Sequence, residues 1–453
     1  MGAMTERSTG GGERRSARVP QSRTERVGRL GSMLAGIAGE AAIEALRRAA
    51  GRGAGDGSLV LTESNARRVA DTLAELRGAA MKLGQLISLQ GEDLLPPELS
   101  ALLGTLRSQA RFMPQDQLRQ VLREELGRDW EGRFAEFDEE PLAAASIGQV
   151  HAAQTPDGRD LALKIQYPGV AESISGDVDN LGVVVRLARL LPPEIDVDVL
   201  LDDLKRELSF EADYEREARN TERYRALVDG DPGVFVPSVH PDLSTRRVLA
   251  CDRVYALPIE ELRSPEYAQE RRDALGDQLM RLVFRELFEF RFMQTDPNFA
   301  NYLYDPKHER VALLDFGASR EFDAAFTESY RKLIVASVEG ERSDVMAHGR
   351  ALGFLTGGET GRVRAAFETL CALVAEPLRG PGSYDFAGSD LSRRVRDHGL
   401  EMLMGERLPR PPTESLFLHR KLAGSFLLCA HIGARVDGQR LYRDLVRDPS
   451  PSA

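Results

Sequence analysis

The sequence predicts an α+β fold in two lobes, a small β-rich one and a larger helical one, preceded by a helical extension. Three observations predict it. Residues 141–166 read as strand, turn and strand, with a Pro156-Asp157-Gly158 turn and a lysine on the second strand. A second strand hairpin lies between Asp296 and Gly317, flanked by acidic and amide side chains. Helical apolar spacing dominates before the first hairpin and from Tyr267 onward. The expected divisions are a weakly ordered tail over 1–60, the extension over 61–140, the β-rich lobe over 141–262 and the helical lobe over 263–453.

Composition narrows the function classes. A chain of 453 residues that is 42% hydrophobic has ample material for more than one core. Its net charge of -11 argues against a general nucleic-acid binder, which needs an excess of Lys and Arg for the phosphate backbone. Cys251, Cys371 and Cys429 are far apart and lack metal-ligand spacing, so neither a disulfide framework nor a zinc site is expected, and a reducing cytoplasm fits. No apolar run reaches the ~18 residues of a spanning helix, so no transmembrane segment is expected. The opening Met1 to Met4 reads as an expression scar. The Arg- and Ser-rich tail would suit a transit peptide, but Glu6, Glu13 and Glu25 count against that.

In the extension, Val69, Leu73, Leu76, Ala80, Leu83 and Ile87 form one stripe of a helix from Ala66 to Gln90. Lys82 and Gln85 share a neighbouring face, with Gly84 between them costing about 1 kcal/mol of helix propensity. On pattern alone, a solvated Lys and Gln is the commoner outcome. Pro96 and Pro97 end that region, and a further amphipathic helix follows from Gln115 to Leu126. Strand character begins near Pro141. In LALKIQ, Leu161, Leu163 and Ile165 alternate with Lys164, which is thereby aimed to the opposite side. One long acidic helix is expected from about Asp198 to Leu227, with Asp213, Glu217 and Asn220 on a common face and Glu211 out of phase.

The strongest chemical signal is TDPNFANYLYDPKHERVALLDFGASR. Asp296 is followed by Asn301, a hairpin turning at Asp305-Pro306, and Asp315-Phe316-Gly317. Phosphoryl transfer on a protein-kinase-like fold needs this order. The first Asp orients the attacking hydroxyl, while Asn301 and Asp315 supply oxygens to Mg²⁺ or Mn²⁺ beside the γ-phosphate. Lys164 then pairs the α- and β-phosphates of ATP or ADP and is held by a helix acid, for which Glu217 is the choice over Glu211 and Glu207. The apolar helix over Leu416 to Ile432 is interrupted by His419, Arg420 and Lys421. Core packing is its commoner fate and an interfacial helix the alternative.

The loop that should cradle the phosphates is unusual. Aligned on Val150, Gly148 takes the third position of G-x-G-x-x-G-x-V, but Ala143 and Ala145 take the first two, with Ala144, Ser146, Ile147 and Gln149 completing the stretch. β-Carbons there restrict φ > 0 and crowd backbone approach, so the N–H cradle should be altered rather than absent. Adenine contacts are expected from the backbone of the Ala250 to Val254 stretch, with Asp252 and Val254 as candidates.

These motifs together resemble the UbiB family of atypical kinases, in its coenzyme Q-supporting branch. The likeness runs from about Leu73 to Val436 through MKLGQ, AAASIGQVH, Lys164, FEADYEREA, QTDPNFAN, LLDFGASRE and LHRKLAGSFLLCAHIGARV. The resemblance implies that the K-x-G-Q extension (Lys82, Gly84, Gln85) folds across the active site where a peptide would lie. It also implies that Glu211 and Asp213 form an E-x-D motif meeting that extension, and that Glu217 partners Lys164. Asp252 stands where Glu is common, and Gln294-Thr295 replaces the more frequent His-containing pattern.

The expected activity is an Mg-dependent ATPase or atypical kinase serving isoprenoid quinone or lipid metabolism. The alternative is a nucleotide-gated scaffold or lipid-binding chaperone for biosynthetic enzymes. An ordinary protein kinase is disfavoured because no A-P-E follows Gly317 and an amphipathic helix through Phe322, Phe326, Tyr330 and Leu333 starts almost at once. A small-molecule kinase is disfavoured by the Lys82 helix, the Ala-rich loop and the D-F-G together. Expected partners are a nucleotide, isoprenoid lipid or quinone-pathway enzymes, and a peripheral membrane contact, in a cytoplasmic setting without nucleic acid.

Overall fold

The computed structural model describes residues 78–80, 82–83, 112–187, 197–405 and 412–447. Gly84, Gln85, the 1–60 tail and Pro96-Pro97 lie outside the described residues. Along the chain run α1 (Gln115–Leu126), β1 (Glu136–Ala144), β2 (Gly148–Gln154), β3 (Asp160–Gln166), α2 (Val170–Leu187), α3 (Val197–Glu211) and α4 (Tyr214–Leu227). Next come β4 (Val234–Phe235), β5 (Val248–Asp252), β6 (Leu257–Pro258), α5 (Gln269–Arg285), β7 (Phe292–Gln294), β8 (Tyr302–Asp305), β9 (Arg310–Leu313) and β10 (Ser319–Glu321). Longer helices complete it: α6 (Ala324–Glu339), α7 (Arg342–Ala351), α8 (Gly361–Val374), α9 (Leu391–Gly405) and α10 (Thr413–Ile432).

Two compact units result, the first holding the described residues up to Ala212 together with His240–Ala250, the second the remainder. In the first, the sheet order is β1-β2-β3-β5. Leu161, Leu163 and Ile165 are fully buried, as the alternation required, against Leu118, Val121 and Leu122 of α1 and the lone tryptophan, Trp130. Burial of each such leucine contributes about 1.5–3 kcal/mol. Strand β1 starts at Glu136, ahead of the Pro141 expected from sequence. It is an edge strand and holds no fully buried residue, so apolar periodicity could not show its start. Pro141 sits at a register shift, where a missing N–H costs no ladder bond.

A second difference concerns the acidic helix. The chain does not run as one helix from Asp198 to Leu227: α3 ends at Glu211, and Asp213 caps α4 by accepting from Arg216 N at 2.8 Å. The break falls at the junction where Glu211 and Asp213 were out of phase, and it relieves that conflict. Gln166, at the end of β3, donates through Nε2 to Ala212 O at 3.0 Å and so anchors the C-terminus of α3.

The second unit places its β8-β9 hairpin in a sheet of order β4-β9-β8-β6, while β10 pairs antiparallel with β7. Its core joins Tyr224, Phe292, Tyr302 and Phe316 to α5 and α10. Helix α10 is packed through Leu418, Leu428, Cys429 and Ile432, the core fate. Among the described residues no helix is long and apolar enough to cross a membrane.

Candidate functional site

In the first unit, the Ala-rich stretch closes a tight turn. Ala143 pairs with Val150 and Ala144 with Gln149, and Ala145 N donates to Gly148 O at 2.9 Å. Ile147 is buried, and its carbonyl accepts from Tyr167 N at 2.9 Å. Gln149 is buried as well. Its Oε1 accepts from Met113 N at 2.9 Å, and its Nε2 lies 2.7 Å from His151 Nε2. Contacts from Ile147 and Gln149 to a nucleotide are therefore left to the backbone. Lys164 lies opposite Val150 in the β2-β3 ladder, on the face away from the buried Leu161, Leu163 and Ile165.

The extension helix lies directly on this turn. A β-carbon on Gly78 would come within 3.0 Å of Ser146 O and 3.3 Å of Ile147 Cγ2, so glycine is what lets the helix approach. Ala79, Ala80 and Leu83 are buried. Lys82 is buried too, not solvated, with Nζ 3.5 Å from Glu211 Oε2 and both side chains nearly enclosed. Glu211 belongs to α3, whose end is tied to β3 by Gln166.

The second unit holds Asp296, Asn301, Asp315 and Glu217. Asp315 Oδ1 accepts from Gly317 N at 2.9 Å. A β-carbon on Gly317 would lie 3.3 Å from Asp315 Oδ1 and 3.4 Å from Glu217 Oε2, so the two carboxylates flank this glycine. Helix α4 grips the same turn: Asn220 Nδ2 donates to Phe316 O at 3.0 Å, Arg216 donates to Gly317 O at 2.5 Å and Ser319 O at 2.7 Å, and Tyr224 packs on Phe316 with ring centroids 4.7 Å apart. Asn301 Nδ2 donates to Asp296 O at 3.4 Å, which leaves the amide oxygen as its acceptor end. An amide oxygen and a carboxylate are hard donors that fit Mg²⁺, with phosphate and water completing its shell. Among the described residues no cluster of three or more His, Cys, Asp or Glu stands ready to hold a metal by itself.

Asp252 N donates to Ser238 O at 3.0 Å, and its Oδ2 accepts from Ser238 N at 3.1 Å; Val254 follows β5. The Asp252 carboxylate is thus tied to the neighbouring backbone. Asp305 organises its turn by accepting from Lys307 N at 3.1 Å and from Arg310 Nε at 3.1 Å.

A buried polar network beneath the Asp296 loop was not expected from sequence. Lys421 Nζ stands 3.1 Å from Glu286 Oε2 and donates to Tyr302 Oη at 2.9 Å and Gln294 Oε1 at 3.3 Å. Glu286 Oε1 accepts from Tyr224 Oη at 2.8 Å and from Gln294 N at 3.0 Å. Gln294 Nε2 in turn donates to Asp296 O at 2.7 Å. Burial by itself would lower the Lys421 pKa, but the Glu286 carboxylate and the Tyr302 hydroxyl together outweigh it, and the ammonium stands above the usual lysine value. Arg420 Nε donates to Thr295 O at 2.9 Å, and its Nη2 is 4.0 Å from Asp296 Oδ1. The available signal was two adjacent cations inside an apolar helix, since buried charges require partners.

A D-x4-N loop, a strand hairpin, a D-F-G turn clasped by an acid-bearing helix, and a lysine on a separate three-strand meander are the parts of a protein-kinase-like fold. The ABC1 atypical kinase-like domain matches residues 105–349. The chain is 41% identical to the atypical kinase COQ8B, mitochondrial, of Rattus norvegicus, covering 95% of this chain and 81% of that protein. It is 39% identical to the atypical kinase COQ8, mitochondrial, of Saccharomyces cerevisiae, covering 95% and 86%. Among solved structures it is similar to Rv3197 of Mycobacterium tuberculosis, solved with erythromycin, at 27% identity and TM-score 0.59 over 85% of this chain and 96% of that one. The chain belongs to the ABC1 atypical kinase-like family, the grouping the UbiB resemblance implied.

Proposed function

We propose that the protein is an Mg-dependent, ATP-binding kinase-like ATPase that supports isoprenoid quinone metabolism and does not phosphorylate proteins in trans. The observation that carries the last part lies after the D-F-G turn. Strand β10 spans only Ser319–Glu321, and Asp323 then caps α6 by accepting from Ala325 N at 2.7 Å, so helix begins where a substrate-docking segment would need to run. The extension helix seated on Ser146 and Ile147 supports the same reading.

Bound Mg-ATP supplies the transferable phosphoryl group and its charge neutralisation. In the proposed roles, Asn301 and Asp315 hold the metal, Asp296 accepts the proton of the attacking water or hydroxyl, and Lys164 steadies the α- and β-phosphates. Glu217 partners Lys164, and the Ala143–Val150 turn covers the phosphates. Gln294, held by Glu286 and Lys421, fixes the backbone of Asp296. Lys82 and Glu211 tie the extension to the end of α3. The link to quinone metabolism rests on the COQ8 relatives, and a lipid or a quinone-pathway enzyme is the proposed partner.

The test is ATP hydrolysis, autophosphorylation and phosphorylation of a peptide panel measured side by side. Hydrolysis that is lost in Asp296→Asn, without peptide transfer, supports the proposal. Rapid peptide phosphorylation abolished by Asp296→Asn would overturn it.

A further inference from the structure

Two polar side chains stand on the apolar face of the first unit's sheet. Gln149 and His151 are two apart on β2 and so point the same way, directly opposite Ile165 and Leu163 of β3, which belong to the core. Gln149 is 1% exposed and His151 0%. Polar groups placed there must be hydrogen-bonded, and the bonds these two make admit one protonation arrangement. Met113 N is a donor and lies 2.9 Å from Gln149 Oε1, so the amide nitrogen of Gln149 faces His151 Nε2, at 2.7 Å. His151 Nε2 must therefore accept. That leaves the ring proton on Nδ1, which lies 2.8 Å from an obligatory acceptor, Asp138 O. The ring also stacks on Phe137, with centroids 5.5 Å apart.

We infer that His151 is a positioning residue for the Ala-rich turn: as a neutral imidazole carrying its proton on Nδ1, it orients Gln149, which holds the end of the turn to the backbone of Met113. Gln149 directly follows Gly148, whose carbonyl closes the turn by accepting from Ala145 N at 2.9 Å. His151 thus joins β1, β2 and the segment ahead of α1 at the base of one turn. The consequence for nucleotide binding rests on the proposed function of that turn; the orientation of Gln149 does not.

A proton on Nε2 would turn the acceptor into a donor. Gln149 could then meet the ring only through Oε1, which would set its Nε2 against Met113 N, donor to donor, and break the tie. The carboxylates acting on the ring are those of Asp138 and Glu139 on β1, and Glu139 is itself paired with Arg119 of α1. From β3 the same face receives Leu161, Leu163 and Ile165. Burial outweighs the two carboxylates and the bond to Asp138, and it holds the imidazole below its ordinary value of 6.5. With a lowered folded value, the unfolded chain takes up the proton first. Stability is therefore full above the unfolded value, declines as pH falls below it, and levels off beneath the folded one.

The experiment compares the full chain with His151→Phe, which keeps a ring on Phe137 but removes both nitrogens, and with His151→Gln, which restores an acceptor where Nε2 stood. Circular dichroism checks that both variants are folded. NMR of the histidine-labelled chain reads the tautomer, hydrogen exchange reads the Met113 and Ala145 amides, and calorimetry reads Mg-ATP affinity against pH. Expected at neutral pH is an uncharged ring with its proton on Nδ1. Exchange should quicken about tenfold or more in His151→Phe and recover in His151→Gln. Mg-ATP affinity should fall about threefold or more in His151→Phe, recover in His151→Gln, and drop more steeply on acidification in the wild type than in His151→Gln. A charged ring or an Nε2–H tautomer at neutral pH overturns the inference. So does exchange or Mg-ATP affinity unmoved in His151→Phe, or an equal loss in the two variants, which would reduce His151 to packing. The expected tautomer and exchange in a chain that binds no Mg-ATP would refute the nucleotide function and leave the positioning of the turn standing.

Discussion

Lys82 Nζ stands 3.5 Å from Glu211 Oε2, with the side chains 5% and 13% exposed. The pair joins the extension helix to the end of α3 and thereby to β3. The ion pair is nearly buried, so Lys82→Met and Glu211→Gln should each destabilise the first unit by about 2–4 kcal/mol. The double variant should cost clearly less than the sum of the two. Trp130, the lone tryptophan and buried in the core of that unit, reports the unfolding in a denaturant titration. Strict additivity would show that the two side chains act independently.

The Lys421–Glu286 pair makes a stronger demand, because its side chains are 1% and 0% exposed. Lys421→Met should cost about 3–5 kcal/mol, and pairing it with Glu286→Gln should recover part of that. Gln294 connects this pair to the Asp296 carbonyl, so hydrolysis by the surviving folded protein should lose kcat with little change in KM. A pure loss of stability with unchanged kcat would confine the pair to a structural role.

Acid stability should depend on Arg247. Its Nη2 lies 2.7 Å from Glu124 Oε2 and its Nε 2.6 Å from Glu125 Oε1. The hydrogen bond from Arg247 is the main reason that Glu124 stands below the usual carboxylate value. For Glu125, burial pushes upward and is outweighed by the bonds from Thr245 and Arg247. A depressed folded-state value means that this stabilisation is complete above the unfolded value of about 4.3 and is lost as pH falls through the lowered folded values. Arg247→Met should therefore move the acid-unfolding midpoint, followed by Trp130 fluorescence, to higher pH. An unchanged midpoint would rule out the ion pairs as its source.

The legible parts of the chain were those governed by short-range rules. Alternation in LALKIQ fixed which side Lys164 faces, and the helix over Gln115–Leu126 was readable from its apolar stripe. The kinase-like fold followed from the spacing of Asp296, Asn301 and Asp315. What stayed hidden depended on tertiary partners. Burial of Lys82 required Glu211, far along the chain, and pattern alone favoured a solvated lysine. The break after Glu211 left only a phase conflict as its trace, because acidic residues suit helix interiors and N-termini alike. The Glu286–Lys421 network spans 135 positions in sequence, a separation that no local periodicity reports.

In the proposed function, Asp315 and Asn301 serve a metal-nucleotide site. Thermal unfolding of the wild type and of Asp315→Asn, each with and without millimolar Mg-ATP, tests it most directly. Mg-ATP should raise the wild-type midpoint, EDTA should remove the gain, and Asp315→Asn should show little or none of it. A wild-type midpoint indifferent to Mg-ATP, or an equal gain in Asp315→Asn, would contradict it.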